Sequence, residues 1–276
     1  MTLHLGKRDP TYDSRDLRYA VIREGLTLPK VPPPSGGYGM DFPDWLMLGN
    51  GPDDTVFQGF QGCGDCAWAG PAHETMESCK NSGRSVPAFS GKTVVDQYAQ
   101  YSGYDPQTGA KDNGSNVRDV LRWRQKKGLL DDGGTLHKIG AYVSIEPGNL
   151  EHLWEALWLF EAVGVGLQFP VSAMDQFNAG QMWTVVPGAQ SEGGHYIPIV
   201  GHPTADIWTC ITWGKRQTMT AQFLSTYCDE AWAWIDPERY SLLTGDTQQG
   251  FTNALLQQYL TSMAQEQSAA PQHPGG

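Results

Sequence analysis

The stretch that decides the fold is Gln61-Gly62-Cys63-Gly64-Asp65-Cys66-Ala67-Trp68-Ala69. Two glycines make a turn, and a small-residue and aromatic run follows as the start of a helix. Asp65 sits where an N-cap belongs, its carboxylate placed to accept a backbone N–H two or three residues on. The spacing predicts a helix from Cys66 to about Lys80, kinked at Pro71, which removes one ladder hydrogen bond. A cysteine in the first turn of a helix feels the positive end of the backbone dipoles. That lowers the thiol pKa and favours the nucleophilic thiolate.

The 276 residues include five cysteines: Cys63, Cys66, Cys79, Cys210 and Cys228. An odd count at irregular spacing is a poor disulfide framework. Cys63 and Cys66 form a CxxC. A redox motif would follow a strand, and here the preceding segment is Asp-, Gly- and Gln-rich loop. A structural zinc would want a second ligand pair, and there is no second CxxC or HxxxH, so no metal or other cofactor is expected.

The net charge of -11 argues against nucleic acid or anionic membrane as a partner. With 39% hydrophobic residues, including 10 Trp, 11 Tyr and 9 Phe, a large core can form. Apolar runs fall short of the ~20 residues a membrane span needs. The first nine residues hold no apolar signal core, which predicts a chain kept in the cytoplasm or exported without an N-terminal mark. The sequence does not set the oligomeric state.

Residues 1–55 are rich in Pro and Gly and read as an extended arm wrapping the body. Ser90 caps a helix carrying Val94, Val95, Tyr98 and Tyr101. Ser115 or Asn116 caps another, which buries Val117, Val120 and Leu121 and stops at Gly128. Asn149 caps a third with Leu150, Leu153, Trp154 and Leu157 on one face. Strands follow at 163–169, 196–200, 207–212 and 231–235. Helices first and strands second make an α+β protein of two lobes, about 56–160 and 161–245 within a body of 56–245. A helix at about 246–265 and a disordered tail at 266–276 complete the reading.

A nucleophilic cysteine needs a spatially adjacent base. His73 lies two turns along the same helix, ~10 Å away at 1.5 Å per residue, too far to serve. Gly193-Gly194-His195 opens an apolar strand, and the two glycines let backbone and substrate approach closely. His195 is the candidate base.

These residues resemble the papain-like cysteine peptidases. Cys63-Gly64-Asp65-Cys66 is similar to the family's Cys-Gly-Ser-Cys, and Gly193-Gly194-His195 with Ile199-Val200-Gly201 to its Gly-x-His-Ala…Val-Gly-Tyr. Trp213-Gly214 resembles the end of its Asn-Ser-Trp-Gly. Asn113-Gly114-Ser115 resembles its Asn-Gly-Gly substrate-binding turn. The motifs run in the family's order over about residues 55–240. Asp13-Ser14-Arg15-Asp16 with Leu17-Arg18-Tyr19 resembles bacterial or phage-type members that lack a long propeptide.

The resemblance implies a helical lobe headed by Cys66, a barrel-like antiparallel lobe carrying His195, and an active-site cleft between them. It implies a thiolate–imidazolium pair, hydrolysis of peptide or isopeptide bonds, and a peptide or protein substrate. Asn113, Gly114, Ser115, Gly193 and Gly194 would bind substrate, and the Cys66 N–H would face the oxyanion. Three departures stand out. The oxyanion glutamine's position holds Phe60, leaving Gln61, one residue later, to serve, with Gln58 as a fallback. The orienting asparagine is Ile211, which cannot hydrogen-bond an imidazole, and strand alternation is expected to turn Thr212 to the other face. Thr212 and Trp213 remain the possible orienting or shielding residues. The family disulfide's second cysteine is Asp112, which fits a reducing compartment. The departures leave two rival expectations, a papain-fold binding protein without activity and a thiol-dependent acyltransferase.

Overall fold

Strand alternation decides which helices cover which side of a single sheet. The computed structural model describes residues 3–14, 16–25, 30–38, 46–49 and 62–236. In chain order these form α1 (Tyr19–Gly25), β1 (Gly36–Gly37), α2 (Cys66–Asn81), α3 (Gly91–Ser102), α4 (Val117–Lys126), β2 (Leu129–Leu130), β3 (Leu136–His137) and β4 (Ala141–Ile145). There follow α5 (Leu150–Phe160), β5 (Val163–Pro170), α6 (Val171–Asn178), β6 (Ser191–Thr204), β7 (Ile207–Thr212), β8 (Lys215–Thr220), α7 (Ala221–Tyr227) and β9 (Cys228–Ile235).

The main sheet runs β4-β9-β5-β6-β7-β8, with β1 added on β6, and every pairing in it is antiparallel. Its end strands β4 and β8 do not pair, so the sheet is open where a barrel-like form was expected. Alternate residues of β9 divide between two cores. Ala231, Ala233 and Ile235 join one with residues of α1, α5, α6 and α7. Trp232 and Trp234 join the other with residues of α2, α3 and α4. Burying each of these indoles contributes on the order of 2–3 kcal/mol. The sheet thus carries a buried core on each face, and each core mixes residues from before and after position 160.

Local capping follows the sequence at three of four helices. Ser90 accepts from Thr93 N, Asn116 from Asp119 N and Asn149 from His152 N. Asp65 is the exception: it precedes α2, but its side chain makes no cap bond. Its backbone has left the extended conformation that aims a cap, with φ -98° and ψ 17°, and its carbonyl takes the N–H groups of Trp68 and Ala69 instead. Pro71 lies inside α2. The arm expected to be extended carries α1. The segment expected as a C-terminal helix and tail lies outside the described residues.

One buried polar link sets the lobes against each other. Glu74 of α2 accepts from Arg124 Nη1 of α4 at 2.7 Å and from Tyr196 Oη of β6 at 2.7 Å. Glu74 and Arg124 are at most 1% exposed. Tyr196 is the next residue after His195, so this link fixes α2, which begins at Cys66, against the strand that carries the histidine.

Candidate active site

Cys66 opens α2 and is buried. Its loop is held by its own helical side: Gly64 N donates to both Asp112 carboxylate oxygens at 3.0 and 3.1 Å, and Tyr98 Oη donates to Asp112 Oδ1 at 2.6 Å. No disulfide links any of the five cysteines. Asp112 therefore ties the Cys66 loop to the 113–115 turn by hydrogen bonds, at the position where the resemblance leads one to look for a disulfide partner. Cys63 is buried, its thiol 3.6 Å from the Gly49 carbonyl.

The Cys66 thiol is not depressed as its helix position suggests. Burial pushes it up to about 12, and the Asp65 charge adds to this. Backbone hydrogen bonds from Tyr196 and Gly6, together with the Lys7 charge, oppose the rise. Desolvation of a thiolate outweighs a helix end when no solvent reaches the sulfur. The Tyr196 N–H lies 3.4 Å from Sγ.

His195 lies on β6 opposite Leu167 of β5 and lines a small cavity together with Cys66. Its Nε2 is 2.7 Å from Thr212 Oγ1. The expected orientation of Thr212 is overturned, and the alternation explains it. Cys210 packs in the same core as Ile197 and Ile199, and Thr212 is two residues beyond Cys210; Ile211 packs with Tyr196 and Val200 on the opposite side. His195 is two residues before Ile197, so Thr212 and His195 share a face and Ile211 is the one turned away. Trp213 follows with φ 43°, a left-handed turn at the strand end, and its ring stacks on the imidazole at 4.3 Å and 10°. Phe169 meets the imidazole edge-on at 5.5 Å. His195 Nδ1 has no hydrogen-bond partner among the described residues. Burial lowers the imidazole to about 3, so both groups are neutral in this form.

What fills the cleft is the chain itself. Residues 5–8 pass between the two glycine motifs. Lys7 N donates to Gly194 O at 2.9 Å, Ser115 N donates to Gly6 O at 2.7 Å, and Arg8 N donates to Ser115 O at 2.9 Å. Gly114, at φ 67°, faces the Gly6 backbone so closely that a Cβ would collide with it. Thus Gly114, Ser115, Gly193 and Gly194 are brought together around one extended strap; Gly193 touches it through Leu5. Asn113 is exposed at the turn's edge. Gln61, Phe60 and Gln58 lie outside the described residues. His73 lines the same cavity, is buried, and is lowered to about 4 by burial.

The sequence suggests an arm wrapping the body, but neither its passage through the cleft at residues 5–8 nor its anchor. Lys7 Nζ lies 2.9 Å from Asp229 Oδ2 and 3.4 Å from Glu230 Oε1. No local pattern links residues more than 220 positions apart. The nearest available signal was Cys228-Asp229-Glu230, two acids ahead of a strongly apolar strand.

The fold is that of the papain-like cysteine proteases: a helical lobe and an antiparallel sheet with a cleft between. Over 84% of this chain and 96% of the other, it matches xylellain, a cysteine protease from Xylella fastidiosa, with a TM-score of 0.60 at 14% identity. A procathepsin B S9 from Trypanosoma congolense matches with a TM-score of 0.53 at 12% identity, over 84% of this chain and 86% of that one. The digestive procathepsin L 3 of Tenebrio molitor matches with a TM-score of 0.51 at 13% identity, over 82% and 75%. No protein-family model and no curated protein sequence matches the chain. No helix among the described residues is long and apolar enough to cross a membrane.

Proposed function

We propose that this chain is a cysteine peptidase acting on peptide or isopeptide bonds. Cys66 is the nucleophile and His195 its base. Thr212 holds the imidazole and Trp213 keeps water off its face. The observation that carries the reading is the His195 ring. It is clamped by Thr212 on Nε2 and by two aromatic rings, and Nδ1 is left unengaged at the cavity it shares with the Cys66 thiol. A ring held this firmly with one nitrogen unspent is arranged to take a proton.

In the opened cleft the Cys66 proton passes to His195. The thiolate adds to the substrate carbonyl carbon, and the resulting oxyanion is held by the Cys66 N–H. Imidazolium then protonates the amine as the C–N bond breaks, leaving a thioester. Water, deprotonated by His195, hydrolyses the thioester and returns the thiol.

The form described is closed. The strap presents to Sγ the backbone amide of Gly6, a hydrogen-bond donor and not a carbonyl carbon, so it offers the thiol nothing to attack. Turnover of a fluorogenic peptide library by a strap-loosened chain tests the reading. Cleavage that disappears in Cys66→Ala supports it, and equal cleavage with and without Cys66 refutes it. Product formed only when an added amine is present would turn the reading to acyl transfer.

A further inference from the structure

The strap's anchor describes a second recognition element. The Lys7 side chain is 0% exposed, and so is that of Glu230. Both carboxylates facing the ammonium are held by neutral donors as well. Trp232 Nε1 donates to Glu230 Oε2 at 2.9 Å, and Gln168 Nε2 donates to Asp229 Oδ2 at 2.8 Å. These donors fix the acids without neutralising them. The Lys7 ammonium also donates to the Arg8 carbonyl at 3.1 Å, a contact within the strap. The pocket thus sets two acids against one cation.

Gly166 on β5 forms the pocket wall. A Cβ there would stand 2.5 Å from both Glu230 Cγ and Lys7 Cε, so the space for a long side chain exists because this residue has none. The pocket opens onto the cleft. Lys7 enters it from a backbone whose N–H is bonded to Gly194 O, one residue before His195, and whose neighbours Gly6 and Arg8 bracket Ser115. Any extended chain laid along those glycines would present a side chain to the same opening.

We propose that the pocket formed by Gly166, Asp229 and Glu230 is a specificity pocket for a lysine or arginine side chain of the substrate, and that Lys7 is its resident occupant while the strap is in place. The proposal rests on the reading of the cleft as a peptide-binding site. The physical ground is the cost of the alternatives. Glu230 is fully buried and Asp229 half-buried, so a neutral side chain that fills the pocket leaves a buried carboxylate without its cation. A lysine reproduces the Lys7 ammonium, and an arginine brings the same charge to the two carboxylates through its guanidinium. Selection here comes as much from rejecting neutral residues as from attracting cations.

The test uses the full chain carrying Cys66→Ala and Lys7→Ala, and reads binding, not turnover. Two fluorescent peptides, identical except for one arginine or norleucine, are titrated by anisotropy. The arginine peptide is expected to bind at least about tenfold more tightly, and adding Glu230→Gln should bring the ratio close to one. If Lys7→Ala does not give a native thermal transition, Gly6→Ala replaces it. Its Cβ collides with the Gly64 backbone and expels the strap with all pocket charges intact. A folded, opened chain that binds both peptides alike, or neither, overturns the pocket. Hydrolysis without basic preference would overturn the pocket and keep the peptidase reading. Arginine-selective binding by a chain that never hydrolyses would do the reverse.

Discussion

Gly6→Ala should expose the thiol. In the closed form Gly6 lies so close to Gly64 that an added methyl would overlap the Gly64 carbonyl carbon and oxygen. That contact is backbone on backbone, so no side-chain rotation relieves it, and residues 5–8 must leave the cleft. The consequence for Cys66 can be worked from its environment. With the thiol pushed up to about 12, about one molecule in 10^5 carries a thiolate at pH 7. An ordinary exposed cysteine near pKa 8.5 carries about 3 in 100, and the helix end favours more. Opening should therefore raise the Cys66 alkylation rate by about three orders of magnitude. The assay is a time course with iodoacetamide at pH 7, read peptide by peptide by mass spectrometry. Cys210, buried on the far side of the sheet and itself pushed well up by burial, serves as the internal control. If Cys66 in a natively folded Gly6→Ala chain reacts no faster than in the parent, the strap is not what keeps the thiol neutral. The account of the closed form is then wrong.

Other perturbations probe separate contacts. Thr212→Val, made in a strap-loosened chain, removes the 2.7 Å hydrogen bond to His195 Nε2 and keeps the volume. The expected loss of about 1–3 kcal/mol should appear in kcat with KM little changed, and Thr212→Asn should recover most of it. Glu74→Leu leaves Arg124 buried without its carboxylate and strips Tyr196 of its acceptor. It should cost about 3–5 kcal/mol in denaturant melts, and an unchanged midpoint would show that the link between the lobes does not matter. Asp112→Ala releases Gly64 N and Tyr98 Oη together, and a fall of about 1–3 kcal/mol is expected by the same measurement. Acid should loosen the closed form. His195 is lowered by burial from its usual 6.5 to about 3, so its stabilising effect is complete above pH 6.5 and is lost progressively as the pH falls towards 3. The melting temperature should drop between pH 7 and 5, and drop less in His195→Gln.

Much of the architecture was legible because it rests on local rules. Ser90, Asn116 and Asn149 cap the helices that follow them, since a short polar side chain before an apolar periodic run has few other uses. β7 begins and ends where its β-branched and aromatic run does. The short elements were not legible. β8, Lys215–Thr220, is a polar strand that pairs with β7 and is bridged on its other side only at Trp183, a contact no local pattern announces. α7 has only seven residues, too few for a period to declare itself. Asp65 looked like a cap, yet the tight turn that delivers Cys66 takes its backbone out of the capping conformation. A local preference yielded there to the geometry of the loop held by Asp112.

Thr212, and not Ile211, meets the histidine. By motif Ile211 stands at the family asparagine's position, and alternation counted from it turns Thr212 away. Ile197, Ile199 and Cys210 share one core, and the alternation of their strands puts His195 and Thr212 on that same face. The hydroxyl supplies the hydrogen bond that an isoleucine could not, and the stacked Trp213 and edge-on Phe169 restrict the ring in the remaining directions. Orientation of an imidazole requires an acceptor or donor at a fixed place, not a particular residue type. A threonine on the correct face meets that requirement more directly than an amide on the wrong one. The strap follows the same logic. Its backbone satisfies Gly194 and Ser115, and its lysine satisfies Asp229 and Glu230. On the proposed reading, the strap in the closed cleft is a stand-in for the peptide that the open cleft would hold.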